Sequence, residues 1–89
     1  MSDIPEEVVE TWTTEEVNEL FDQMQWSVDA ITELLDGTRV MASDADRDDA
    51  VQRNLDHLTQ GQAKSWYTDD SRDKSAITAA VTSAQTHLA

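Results

Sequence analysis

Eighty-nine residues carrying 19 carboxylates against six Lys and Arg, a formal charge of −13 and no cysteine exclude a disulfide framework, a thiolate metal site and a basic surface for a phosphate backbone. The charge is uneven. Asp3, Glu6, Glu7, Glu10, Glu15, Glu16, Glu19, Asp22, Asp29, Glu33 and Asp36 all precede the first base, Arg39, whereas the remaining eight Asp face all six bases.

A segment that repels itself this strongly needs burial, counterions or a basic partner to hold it. The Lys-poor, Asp- and Thr-rich composition resembles salt-adapted proteins, but its uneven placement argues against a uniform salt-adapted coat. No apolar run approaches the ~18 residues of a membrane span, and Met1–Glu7 has neither a basic nor an apolar leader region, so a soluble, cytoplasmic chain is expected. A chain this short buries only about 60% of its unfolded surface, and added stability from a partner or an oligomer is expected. Its 38% hydrophobic content, laid out periodically, favours a fold over a disordered acidic tail. One helical domain over 1–89 is expected.

Residues 1–12 read as an arm, with Pro5 at a first helical position and Glu6 and Glu7 behind it, suiting a short leading helix over Ile4–Thr11. Thr13 and Glu16 then have the spacing of a capping box, and Trp12 and Val17 stand where a hydrophobic staple places its partners. They predict a long helix over 13–36 whose apolar stripe is Val17, Leu20, Phe21, Met24, Val28, Ile31, Leu34 and Leu35, with Ser27 filling one core-type position and Gly37 as the stop. Val17, Met24 and Ile31 also suit one series of a coiled coil. About three heptads is the lower limit for that assignment, so it stays open.

Thr38–Ala42 is a connector with Val40 and Met41 expected against the core. Ser43 predicts the cap of a second helix over 43–60, with four Asp at its positive end and Val51, Leu55 and Leu58 as its stripe. Gly61 ends or bends it. A third helix is predicted over 68–88 from a Thr68 start, with Ile77, Val81, Ala84 and Leu88 facing inward and Ala76, Ala79 and Ala80 allowing close approach. Trp12-Thr13-Thr14-Glu15-Glu16 and Trp66-Tyr67-Thr68-Asp69-Asp70 share an aromatic, a Thr cap and an acid pair, read as convergent helix-start chemistry. Trp66 and Tyr67 read as a plug closing the end of the bundle in preference to a second anchor. No stretch alternates as a strand does. The fold expected is all-α, a small bundle of two to three helices led by one long amphipathic helix.

Motifs that carry chemistry are weak. Asp44, Asp46 and Asp48 take positions one, three and five of a calcium loop, but Asp49 stands where the turn needs Gly and Leu55 where a bidentate Glu belongs. His57 and His87 have no ligand-type partner at helical spacing and read as surface or boundary residues. There is no nucleophile elbow and no Gly-rich phosphate loop. No catalytic residue, metal site or cofactor is expected, and an enzyme is the weakest class.

Trp26 is the most specific anomaly. At 100° per residue it lies roughly 160° from the centre of the apolar stripe, facing outward among Glu19, Asp22, Asp29, Ala30 and Glu33. Trp is enriched among interface anchors, and carboxylates around it favour an approaching Arg or Lys. Trp26, Glu19, Asp22, Asp29 and Glu33 are therefore the candidate partner-binding residues, for a protein with a basic surface. The competing reading packs Trp26 against the Ile4–Trp12 arm or the Trp66–Tyr67 turn.

Between Asp46 and Val81, the segments Arg53-Asn54, Leu55-Asp56-His57-Leu58, Trp66-Tyr67-Thr68-Asp69-Asp70 and Ala76-Ile77-Thr78-Ala79-Ala80-Val81 resemble small acidic virion-associated proteins of tailed bacteriophages. The resemblance rests on a pattern of helix stops and starts and brings no catalytic motif. It implies a structural component of a tail, neck or fibre attachment, present in several copies, in a virion assembled in the host cytoplasm. The expectation is thus a structural adaptor docking through an acidic helix face, as a homo-oligomer or within a multi-copy assembly, without direct nucleic-acid or membrane contact. The alternative is an acidic inhibitor that mimics nucleic acid toward a host or defence protein.

Overall fold

The first helix starts at its capping box. The Thr13 hydroxyl accepts the Glu16 N–H at 3.1 Å and the Glu16 carboxylate accepts the Thr13 N–H at 2.9 Å, satisfying two donors that a helix start otherwise leaves open. This computed structural model describes residues 12–89, so the leading helix expected over Ile4–Thr11 lies outside the described residues. Helix α1 spans Thr14–Asp36 and stops where Gly37 takes φ +85°, a left-handed conformation that costs a side-chain-bearing residue about 1–2 kcal/mol. These bounds agree with the reading from sequence.

Helix α2 spans Asp44–Gln62 and is capped by the Ser43 hydroxyl, which accepts the Asp46 N–H at 3.1 Å. It continues through Gly61 instead of ending there. There the glycine permits close approach: a Cβ on it would lie 2.9 Å from Met24 Cε and 3.1 Å from Met24 Sδ, so the end of the buried Met24 side chain would have to move.

The helix expected over 68–88 is two elements. A single turn, α3 (Ser65–Thr68), precedes α4 (Ser75–Leu88). Thr68 closes α3 instead of capping a helix, because Asp70 and Asp73 take over the local backbone: Asp70 accepts the Arg72 N–H at 2.9 Å and Asp73 accepts the Ser75 N–H at 2.9 Å. Short side-chain to backbone bonds of this kind compete with helix continuation. The resemblance between the Trp12 and Trp66 segments therefore does not extend to helix starting.

The described residues form an all-α bundle without strands, with α1 against α2 and α4, and α2 against α4. Phe21, Met24, Val28, Ile31 and Leu34 of α1 are buried with Ala50, Val51, Leu55 and Leu58 of α2 and Ile77, Ala80, Val81 and Ala84 of α4. Val17, Leu20, Leu35, Met41 and Leu88 pack around this core half-buried. Of the alanines expected to allow close approach, Ala80 is buried while Ala76 and Ala79 are exposed.

Trp66 and Tyr67 on α3 are buried against Phe21, with ring centroids 5.4 and 5.5 Å from it; they plug one end of the bundle as expected. At the other end Val40, expected inside, is 86% exposed. Its neighbour Arg39 is drawn back onto α1, the N–H donating to the Glu33 carbonyl at 3.0 Å and the guanidinium reaching the Glu33 carboxylate at 2.7 Å. That loop path turns Val40 outward and leaves Met41 to cover the core.

Candidate functional site

Helix geometry places Trp26 on a ridge of α1. Counting 100° per residue, Ala30, Gln23 and Ser27 lie about 40°, 60° and 100° to one side, and Glu33, Asp22 and Asp29 about 20°, 40° and 60° to the other. The first side forms a seam with α2, where Gln23, Trp26, Ser27, Ala30, Arg39, Asn54 and His57 line an open groove of about 460 Å³. The second side is a row of carboxylates. Trp26 is 70% exposed between them, as its outward position in the sequence implied.

Ala30, read from sequence as part of the outward face, is only 5% exposed. A face defined by a single-helix projection takes no account of α2, which covers this edge. Ser27, at 5% exposure, is the buried polar side chain among the described residues. Its Oγ is 2.7 Å from His57 Nδ1, so the hydroxyl that interrupts the apolar stripe is satisfied across the helix pair. Sequence reading placed His57 at the surface or boundary without a metal-ligating neighbour, and named no hydrogen-bond partner for it. The available signal was Ser27 itself, because a hydroxyl on a core stripe needs a partner, either a carbonyl of its own helix or a group on the facing one, and His57 flanks the buried Leu58.

His87, also read as a surface or boundary residue without a metal-ligating neighbour, places Nε2 2.8 Å from Asp48 Oδ1 and joins the end of α4 to the start of α2. That hydrogen bond, aided by Arg47, holds the Asp48 carboxyl below its ordinary range. Asp44, Asp46 and Asp48, the calcium-loop positions, belong to helix α2, where Arg47 pairs with Asp44 and Asp48. Among the described residues no three His, Asp or Glu side chains converge as a metal cluster would require.

The carboxylates of the candidate face differ in their local partners. Glu33, expected to be uncompensated, is paired with Arg39 through both Nε and Nη2. Asp29 accepts the Gln25 amide at 3.0 Å, a neutral partner that leaves its charge in place. Asp22 is close enough to Arg72 to help raise that guanidinium's pKa, secondary to the hydrogen bond from Arg72 to Asp70. Glu19 and Asp22 are exposed. Asp22 and Asp29, one helical turn before and after Trp26, thus flank an exposed indole.

Arg72 shows how this chain holds an arginine against an aromatic ring. Its guanidinium lies 4.0 Å from the Phe21 centroid, with Nε and Nη2 on the two Asp70 carboxylate oxygens at 2.7 and 3.1 Å and Nη2 on Asn18 Oδ1 at 2.8 Å. Phe21 stands on the same helix as Trp26, five residues earlier. No protein-family model matches the chain, and neither a curated protein nor a solved structure matches it.

Proposed function

We propose that this chain is a small structural adaptor that docks a basic protein surface through the Trp26 ridge of α1, as a minor component of a virion-like assembly at a tail, neck or fibre attachment. The observation that carries the docking reading is the 70% exposure of Trp26 on a helix whose opposite face is closed into a core. An indole left in water by a rigid helix is the type of side chain that anchors protein interfaces. The flanking carboxylates of Asp22 and Asp29, with Glu19 beside them, select a cationic partner and speed its encounter. Glu33 contributes through its pair with Arg39, which lines the adjoining groove. The virion setting is supported by the resemblance of the Asp46–Val81 segment and by the small, acidic, bundle-forming character of the chain.

Native mass measurement of the protein recovered from its own cells under non-dissociating conditions tests this proposal. A mass corresponding to a particle with a fixed number of copies supports it, and the Trp26→Ala variant should then be recovered free while keeping its helicity. Recovery of the wild type as a free chain or dimer that competes with DNA for a basic protein would favour the mimic instead.

A further inference from the structure

Resting on the docking reading above, we propose that the Trp26 ridge takes an arginine side chain of the partner in preference to a lysine, the guanidinium stacking on the indole while Asp22 and Asp29 receive its N–H groups. The internal site at Phe21 supplies the template. There an aromatic face on α1, a carboxylate and a side-chain amide oxygen together hold Arg72, with the plane of the ring covered at 4.0 Å.

Around Trp26 the corresponding parts are present: a larger aromatic face, exposed at 70%, two carboxylates one turn away on either side, and the Gln23 and Asn54 amides lining the adjoining groove. No cation among the described residues lies over this indole. Among the described residues the pairs that place a cation over a ring are Arg72 with Phe21 and Lys74 with Tyr67. Arg39, which lines the same groove, is held by the Glu33 carboxylate through Nε at 3.1 Å and Nη2 at 2.7 Å.

Charge complementarity decides the sign of the partner and ring geometry decides its identity. A guanidinium is planar, weakly hydrated and able to donate to a carboxylate in parallel with stacking. An ammonium is compact and strongly hydrated, and its water shell is lost when it approaches an indole. A second copy of this chain is disfavoured as the occupant by the formal charge of −13 on each.

The test is a titration of the full chain with amidated tetra-arginine and tetra-lysine peptides at low ionic strength, followed by the indole N–H resonances in two-dimensional NMR, with Trp26 assigned from the Trp26→Ala variant. Tetra-arginine should bind about fivefold more tightly than tetra-lysine and shift the Trp26 resonance most. Trp26→Ala should abolish that difference while leaving the salt-dependent binding common to both peptides. The double variant Asp22→Asn/Asp29→Asn should weaken both peptides and leave helicity unchanged. Equal affinities for the two peptides, or a preference for arginine that survives in Trp26→Ala, would overturn the arginine assignment and leave the docking reading standing. No binding of either peptide would overturn both.

Discussion

Ser27 is buried on α1 and its hydrogen-bond partner His57 is open to solvent, so the two ends of this bond differ in what their loss exposes. Replacing Ser27 with Ala removes a buried hydroxyl and returns His57 to water, at a cost of about 1 kcal/mol or less. Replacing His57 with Ala leaves the hydroxyl in the interior with its cross-helix partner gone and should cost more, about 1–2 kcal/mol. Urea unfolding of the two variants checks the order, and equal costs would show that Ser27 finds a backbone acceptor on its own helix. Trp26 follows the opposite logic. With most of its surface in solvent, Trp26→Ala should change stability by no more than about 0.5 kcal/mol, whereas Leu58→Ala, at a position with no exposure, should cost about 2–5 kcal/mol. A large loss at Trp26 would mean that the indole packs inside the native protein.

At the level of elements, α1 was legible almost residue by residue because independent local signals coincide: a capping box at Thr13, a helical apolar period and a glycine at the stop. The stretch from Gly61 to Ser75 was not. Gly61 looks like a terminator to a one-dimensional reading, and only the position of Met24 shows that it is a contact. Gly61→Val should therefore cost about 1–3 kcal/mol by overpacking against Met24 and Trp66, even though Val has the higher helix propensity.

Thr68 followed by two acids has the composition of a helix start, yet Asp70 and Asp73 bond their own local backbone and move the start to Ser75. Side-chain to backbone competition over two or three residues has no period to read. The candidate face was legible as an outward indole among acids, while its groove was not, because Ala30, Asn54 and His57 come together only when α2 packs on α1. The Thr13→Ala variant, which removes half of the capping box, should cost about 1 kcal/mol and serves as a control that perturbs α1 without touching Trp26.

Across the whole molecule two electrostatic effects oppose each other. Glu16, Asp36, Asp48, Asp70 and Asp73 are held below the ordinary carboxylate range by hydrogen bonds from Thr13, Thr38, His87, Arg72 and Ser75 respectively. A carboxyl whose folded pKa is depressed stabilises the fold above its unfolded value and loses that contribution as pH falls through the folded one. The urea midpoint should therefore drop on acidification below about pH 4; a midpoint that keeps rising there would show that relief of repulsion outweighs these bonds. At neutral pH the surplus of 13 negative charges works against the compact state. Raising salt from about 0.01 to 0.1 M, which shortens the screening length from about 30 to 10 Å, should stabilise the free chain while weakening the proposed hold on a basic partner.

That pairing of opposite salt responses is what the proposed docking through Trp26 predicts. The contact itself is tested most directly by fluorine NMR of the protein labelled with 5-fluorotryptophan, free and within the complex recovered from cells. Docking through the ridge moves the Trp26 resonance while that of the buried Trp66 keeps its position. A Trp26 resonance unchanged in the complex would contradict it.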